Sequence, residues 1–367
     1  MRWKRGSPPD APGFIAARRR FIAGGTALAG LCLLDLTGCG RKQPQREESF
    51  VFGTRVEVQV WDQPAAAARE ALAAVLREFD RLHHLLHAWQ PSALFEVNQA
   101  IGAGRAAQCP EEVGNLLAAA QDLARRGDYL FDPGIGRLIA LWGFQADEFK
   151  AALPHPAELA RLVRIHPSIA DISISPERTR VSSSKADVAL DLGGYAKGYA
   201  LDRAASILRA AGVRDALVNI GGNIFALGSK SGQPWRVGVQ HPRRPQPLAS
   251  LDLGDGEAIG TSGDYQRYFE LNGRRYCHLI DPRDGMPVMH TQALTVLVTP
   301  RAAAGALSDG ASKPLFVAGR TGWRDMARRL EIDHALRVDA DGSIQVTRAL
   351  AARLRWEGEV PPMEQLA

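Results

Sequence analysis

The sequence predicts an α/β domain, one that contains both α-helices and β-strands, from three observations. Residues 54–60 alternate apolar and polar side chains, which is typical of a half-buried strand. Residues 64–86 repeat apolar side chains at helical spacing. Residues 265–280 contain the pair Asn272-Gly273, the favoured turn of a two-residue β-hairpin. Helices and strands are therefore expected in the same chain.

The remaining regular elements are predicted from the same signals of spacing, caps and turns. They are a short helix capped by Ser92, a helix over 111–126, strands over 235–240 and 293–299, and a helix that opens at Pro300 and runs through Asp309 towards Phe316. His83 and His87 share one face of the first long helix, but no third zinc ligand follows at a suitable spacing. A packed or solvated helix end is the prediction for these two histidines.

The first 39 residues indicate an export leader. Residues 18–22 form a twin-arginine pattern, and the apolar stretch after it, roughly 14 residues long, is shorter than the about 20 needed to span a membrane. The stretch ends in Leu-Thr-Gly-Cys39, which resembles the lipobox of bacterial lipoproteins. We therefore expect a signal peptide over 1–38, lipidation of Cys39 and a polar tether over 39–49, with the protein anchored in the cell envelope and facing the periplasm. An uncleaved anchor helix is the alternative.

The distribution of charge argues against nucleic-acid binding, and the cysteine spacing does not imply a disulfide. The chain of 367 residues has a formal charge of +5, and the predicted signal peptide holds six basic and two acidic residues, so that only +1 remains for 39–367. No basic stripe with interleaved aromatic residues follows, so nucleic-acid binding is not expected. Cys109 and Cys277 show no CxxC spacing, and a disulfide between them is possible without being implied.

A pair of glycines between an apolar run and a helix is the centre of the candidate site. Residues 188–190 lead to Asp191, then to Gly193-Gly194, and then to a helix predicted over 195–211. Glycines at such a strand-to-helix corner let the backbone approach a ligand closely, and the first helical turn offers N–H groups to an anion. Lys197 adds positive charge at the same end. A phosphorylated ligand is predicted; a plain packing corner is the alternative, because the pair matches neither the Rossmann nor the P-loop pattern.

Three further residues are candidates for ligand contact or for structure alone. Trp89 precedes the Ser92 cap and could stack on a planar ligand or cover the core. Asp132 is held extended by Pro133 and could present its carboxylate to a ligand or cap a helix. His278 lies alone at the end of the predicted hairpin, a position more often structural than catalytic.

Together these pieces resemble the ApbE family of FAD:protein FMN transferases. The matching motifs occur in the family's order from about residue 50 to residue 320. They are 52–54, Ser92 with Asn98, 131–133 with 141–144, 191–198, 219–222, 261–264 and 278–282.

The resemblance implies an α/β fold of the α+β, mixed-sheet kind: one large domain with a deep cleft for FAD and a Mg²⁺ ion, in which the FAD pyrophosphate is split. FMN would pass to a Ser or Thr of an exported acceptor protein, and His278 would activate the acceptor hydroxyl. The residues implied to contact FAD are Phe52, Trp89, Asp132, Pro133, Gly134, Asp191, Lys197 and Ile280. The implied metal ligands are the Gly194 carbonyl, Asp309 and Ser312.

The chain departs from the family pattern at the implied metal site. Lys313 replaces the usual Thr ligand four residues after Asp309, and Pro314 follows it. The ring of Pro314 disfavours a helical Lys313, so a kinked turn is expected. A weaker metal could still bind, or the Lys313 ammonium could supply part of its charge, paired to Asp309. The alternatives to the transferase are therefore a catalytically weakened FAD-binding lipoprotein and an FAD pyrophosphatase that releases FMN and AMP. Gly134 likewise stands where the family has Thr.

Overall fold

The computed structural model describes residues 44–146 and 148–366, in which strands and helices interleave along the chain. The strands are β1 (Gln45–Val51), β2 (Thr54–Trp61), β3 (Ala107–Gln108), β4 (Ile172–Ile174), β5 (Arg180–Ser183), β6 (Asp215–Ile220), β7 (Asn223–Leu227), β8 (Trp235–Gln240), β9 (Pro247–Leu253), β10 (Ala258–Gly263), β11 (Tyr268–Leu271), β12 (Arg274–Cys277), β13 (Thr291–Val298), β14 (His334–Asp339), β15 (Ile344–Thr347), β16 (Arg355–Trp356) and β17 (Met363–Leu366). The helices are α1 (Ala65–Leu86), α2 (Ala93–Gly102), α3 (Glu111–Arg126), α4 (Gly136–Leu141), α5 (Pro156–Ile165), α6 (Ala196–Ala210), α7 (Ala304–Val317), α8 (Gly319–Arg329) and α9 (Arg348–Ala351).

A nine-stranded mixed sheet forms the centre of the fold, in the order β1-β2-β6-β7-β10-β13-β14-β15-β17. Neighbouring strands are antiparallel except β15 and β17, which are parallel. Every residue of β13 is buried, and its side chains alternate between two apolar clusters, Val296 in one and Leu297 in the other. A strand covered on both faces reads as a continuous apolar run. This explains why five of the eight residues at 291–298 are apolar.

The two faces of the sheet have different partners. Helices α1, α6 and α7 pack on one face with the large core cluster. On the other face the small sheet of β8, β9 and β16 contributes Trp235 and Leu251 to a second cluster. A third cluster joins α4 and α5 to the β11–β12 hairpin. The mixed α/β class predicted from the sequence is confirmed.

Most predicted elements are confirmed, and the hairpin shows why the local signal is sufficient. Asn272 and Gly273 both have positive φ angles, 52° and 72°, as the two central residues of a type I′ turn require. The corner before Asp191 was expected to begin with a strand, but Ala189 makes only an isolated bridge to Ile135. The helix expected from Pro300 begins at Ala304, after Ala303 in a left-handed conformation.

Two expectations are corrected by contacts that the local sequence does not reveal. The polar stretch expected to be tether up to residue 49 already forms β1 from Gln45, which pairs with β2 and is held by ion pairs such as Arg46–Glu57. Lys313 and Pro314 lie within α7, which continues to Val317 without a break. The helix interior is packed on all sides, and this packing outweighs the roughly 3 kcal/mol that an internal proline costs.

The predicted leader and Cys39 lie outside the described residues. Over 44–146 and 148–366, none of the helices combines the length and apolar character that crossing a bilayer requires. Cys109 and Cys277 are both free thiols.

Candidate functional site

A cavity of about 710 Å³ brings together segments that are far apart in the sequence. This volume lies within the range of small-molecule sites. The predicted residues that line it are Phe52, Trp89, Asp132, Asp191, Gly194, Lys197, His278, Ile280 and Asp309. Pro133, Gly134 and Ser312 do not line it. Another hollow, of about 550 Å³, is lined by Glu257, Asp252, Arg353 and Arg355, whose charges pair with one another.

Aromatic rings form one end of the cavity. Successive ring centroids are 5.9 Å apart from Phe52 to His83, 5.2 Å from His83 to His87, and 4.8 Å from His87 to Trp89. His83 and His87 pack at the end of α1, as expected, and they also line the cavity. Their spacing on one helix face was the signal, but the sequence did not show that the face meets a cleft. Flat rings in such a row suit a planar, aromatic ligand.

The backbone of Phe52 is strained in a way that points its ring to this end. Phe52 and Gly53 form the turn between β1 and β2, and their φ angles are 56° and 68°. A bulky residue rarely adopts a positive φ, and such strain is concentrated at functional sites. The turn therefore positions Phe52 at a cost in stability.

The glycine corner provides the polar wall. Asp191 Oδ1 accepts a hydrogen bond of 2.8 Å from the Gly193 N–H, and Lys197 Nζ donates one of 2.9 Å to the Gly193 carbonyl. Burial raises the pKa of the Asp191 carboxyl. The corner thus presents a lysine and the N-terminal turn of α6 to the cavity, an arrangement that favours an anion.

Asp132 braces a loop and also faces the cavity. Its Oδ1 accepts hydrogen bonds from the N–H groups of Gly134 (2.7 Å) and Ile169 (2.8 Å). Its Oδ2 is buried without a hydrogen-bond partner among the described residues, and burial raises the pKa of the carboxyl. Gly134 lies behind this loop, where a Cβ would be 2.3 Å from the backbone nitrogen of Ile169. Pro133 is buried there too, so these two residues shape the loop and do not contact the cavity.

His278 lines the same cavity as a neutral base. Its Nδ1 is 3.2 Å from the Arg267 carbonyl oxygen, which can only accept, so Nδ1 carries the proton and Nε2 keeps its lone pair. Burial, with the positive charges of Arg267 and Lys197, lowers the pKa of His278 to about 3. An imidazole that is neutral at pH 7 can accept a proton from a hydroxyl group.

Arg267 is a cavity residue that the sequence did not reveal. Its guanidinium donates to the Phe144 carbonyl at 2.8 Å and lies 5.1 Å from the ring centre of Phe149. A single arginine before a hairpin strand carries no periodic signal, and only the fold brings it to the cleft.

Two of the residues implied to hold Mg²⁺, Asp309 and Ser312, make other contacts. Asp309 is fully buried; its Oδ2 accepts a 2.9 Å hydrogen bond from the Gly198 N–H, and its Oδ1 forms an ion pair with Lys313. The Ser312 hydroxyl is 2.7 Å from that of Ser262 and donates to the Asp309 carbonyl at 2.6 Å. Ser312 is thus buried away from the cavity, contrary to its predicted role. Over 44–146 and 148–366 there is also no group of three or more His, Cys, Asp or Glu side chains placed to hold a metal.

The oxygen atoms of Asp309 and Ser312, with the Lys313 ammonium beside them, do not fit a divalent cation. At 4 Å in a partly solvated site, a carboxylate attracts a divalent ion by about 8 kcal/mol, twice the value for two unit charges. The Lys313 ammonium is paired with the Asp309 carboxylate, so it would repel a divalent ion bound there and offset part of that attraction. Burial alone would raise the pKa of Asp309, but the charges of Lys197 and then of Lys313 outweigh it and lower that pKa. Burial lowers the pKa of Lys313 to about 8, against the attraction of Asp309.

Comparison with known proteins agrees with the resemblance in the motifs. Residues 52–336 match the model of the ApbE family. An FAD:protein FMN transferase from Rhodobacter capsulatus is 40% identical over 316 residues, which are 86% of this chain and 59% of that protein's length. One from Treponema pallidum is 31% identical over 349 residues, which are 89% of this chain and 94% of that protein.

Solved structures show the same fold. The ApbE protein from Thermotoga maritima is 31% identical, with a TM-score of 0.77 over 85% of this chain and 100% of that one. The flavinyl transferase ApbE from Pseudomonas stutzeri is 29% identical, with a TM-score of 0.73 over 87% and 98%. The family match spans most of the chain and coincides with the residues that build the cavity. The chain belongs to the ApbE family.

Proposed function

We propose that this protein is an FAD:protein FMN transferase, which attaches FMN through a phosphoester to a Ser or Thr of an exported acceptor protein. One observation carries the proposal: a single cavity is lined by a row of aromatic rings, by two lysines with the first turn of α6, and by a neutral histidine. These groups together suit a ligand with a flat ring system and a charged pyrophosphate. The relatives named above have the same activity in their names.

The reaction follows from the positions of His278 and the cations. The acceptor hydroxyl oxygen attacks the phosphorus of the FMN half, and its proton passes to Nε2 of His278. The bond from that phosphorus to the bridging oxygen breaks, and AMP leaves with the electron pair. Lys197 and Arg267 line the same cavity and would stabilise charge that develops on the phosphate oxygens. If water replaced the acceptor hydroxyl, the products would be FMN and AMP.

The transferase is tested by incubating the purified chain with FAD and an exported flavin-acceptor protein, in parallel buffers containing Mg²⁺ or EDTA. Covalent flavin fluorescence on a denaturing gel measures transfer, and chromatography of the supernatant measures free FMN. We expect labelling of the acceptor, and we expect His278→Ala to lower its rate about a hundredfold or more, because a general base is lost.

His84→Ala is the matched control, since His84 follows His83 on α1 but is 71% exposed at its side chain and does not line the cavity. It should label at the wild-type rate. Release of FMN without labelling would instead identify an FAD pyrophosphatase. Tight FAD binding with neither product would identify a flavin-binding protein.

We further propose that the protein is exported by the twin-arginine route and anchored by lipid on Cys39, facing the periplasm. The twin-arginine pattern at 18–22 and the lipobox-like sequence before Cys39 support this. The family resemblance implies Mg²⁺. We propose it only as an ion that accompanies FAD from solution, since both carboxylate oxygens of Asp309 already have partners in the protein.

A further inference from the structure

The departure at residue 313 places a positive charge inside the cavity. Lys313 is only 13% exposed at its side chain, and it lines the cavity with Asp309 and Lys197. Its Nζ donates to the Asp309 carbonyl at 2.9 Å and pairs with the Asp309 carboxylate, so two acceptors fix the ammonium in position.

The stem of Lys313 passes the other implied metal ligand. A Cβ built on Gly194 would lie 3.3 Å from Lys313 Cε and 3.7 Å from Cδ. The side chain therefore fills the space between Gly194 and Asp309. A residue larger than glycine at 194 would press on this side chain and on the Phe131 ring, which is 3.2 Å from such a Cβ.

The third implied ligand is turned away from this space. The Ser312 hydroxyl bonds to Ser262 and to the Asp309 carbonyl, and it is fully buried. Asp309 Oδ2 is held by the Gly198 N–H at the first turn of α6. The Asp309 carboxylate and the Ser312 hydroxyl thus leave no oxygen solely for a metal ion.

We propose that the Lys313 ammonium is the built-in cation of this cleft and contacts the pyrophosphate of FAD in place of a protein-held divalent metal. The inference rests on the proposed function, since it assumes that FAD is the ligand. An ammonium carries half the charge of Mg²⁺, but it is covalently attached and needs no metal to be captured. FAD binding by this protein should therefore be independent of divalent cations.

The test compares the full chain with Lys313→Thr, Lys313→Met and Lys313→Arg, with flavin fluorescence as the measure of FAD affinity in EDTA and in excess Mg²⁺. The wild type should bind FAD with the same affinity in EDTA as in Mg²⁺, and so should Lys313→Arg. Lys313→Thr should lose about tenfold or more in EDTA, as expected for a lost contact to a charged group, and regain affinity in Mg²⁺. Lys313→Met should stay weak in both, because its side chain cannot ligate a metal. Thermal melting confirms that each variant folds.

A second readout needs no flavin and no activity. Electron paramagnetic resonance of added Mn²⁺ should show no bound ion that depends on Asp309, so the wild type and Asp309→Asn should give the same spectrum. Lys313→Thr, by contrast, should bind one Mn²⁺ ion. Wild-type FAD binding that disappears in EDTA, or a wild-type Mn²⁺ site that Asp309→Asn abolishes, would overturn the inference about Lys313 alone. Failure to bind FAD in every buffer would instead reject the proposed function, while the Mn²⁺ titration would still decide the cation question.

Discussion

His278 shows how strongly the fold changes a single residue. In the sequence it is a lone histidine at the end of a strand, with an ordinary pKa near 6.5. In the cleft, burial and the charges of Arg267 and Lys197 lower that pKa to about 3. Because the folded protein resists protonation of this group, it binds fewer protons than the unfolded chain between these values. The free energy of unfolding contributed by His278 therefore decreases as pH falls through this window.

We predict that His278 remains neutral down to pH 5 in the flavin-free protein. The proton shift of its imidazole Cε1–H, assigned by comparison with His278→Gln, should not titrate between pH 8 and about pH 5, two units above its pKa. Added FAD should raise the pKa, because the pyrophosphate opposes the two cations. A midpoint near the ordinary histidine value without flavin would contradict this account of the cleft.

Helices α6 and α7 are joined by an exchange of caps. Asp309 of α7 accepts from the Gly198 N–H in the first turn of α6, while Asp202 of α6 accepts from the N–H groups of Gly305 and Ala306 at the start of α7, each at 2.8 Å. Burial raises the pKa of Asp202 to about 6. Each helix thus supplies the carboxylate that the other lacks at its N-terminus. The same contact fixes Asp309 beside Lys313.

We predict that Gly198→Ala destabilises the protein and disturbs the cleft. A Cβ there would lie 2.3 Å from the Gly305 carbonyl oxygen and 2.7 Å from Asp309 Cβ, so the two helices would have to separate. We expect a loss of about 1–3 kcal/mol in the free energy of unfolding, measured by urea titration, with weaker FAD binding.

Gly322→Ala is the control at this scale. Gly322 lies within α8, where an added Cβ would make an ordinary 3.4 Å contact with Ala318 Cβ. This substitution should raise the stability by about 0.5–1 kcal/mol, as alanine does in a helix. Equal effects of the two alanines would refute the close approach of α6 and α7.

Over the whole molecule, the cavity is assembled from segments spread from the β1–β2 turn to α7. These segments coincide with the motifs that resemble the ApbE family. The leader predicted over the first 39 residues carries the prediction of where in the cell the domain works.

We predict that Cys39→Ser releases the protein from membranes. The thiol is the proposed site of lipid attachment, and without it the protein should move from the membrane pellet to the soluble periplasmic fraction, with its transferase activity retained. Fractionation followed by immunoblotting measures the change. Cys277→Ser, at a buried thiol far along the chain, is the control and should leave the protein in the pellet. A Cys39→Ser protein that stays in the pellet would favour an uncleaved anchor helix.

The sequence by itself determined the elements whose signals are local. The Asn272-Gly273 turn, the Ser92 cap and the spacing of α1 each follow from chemistry within a few residues, and the structure confirms them. The motif order also pointed to the family before any contact was known. By contrast, β1 has mostly exposed polar side chains, and its pairing with β2 was invisible to periodicity.

Only the tertiary structure decided how the implied metal ligands are used. The Asp309 carboxylate meets a backbone N–H 111 positions away, and the Ser312 hydroxyl meets Ser262 50 positions away. Sequence spacing placed Lys313 one helical turn beyond Asp309 and allowed either a weak metal or a substitute charge. Whether the site holds a metal or a substitute charge depends on the close packing of α6, α7 and β10. Hydrogen bonds between such distant segments exist only once the chain has folded.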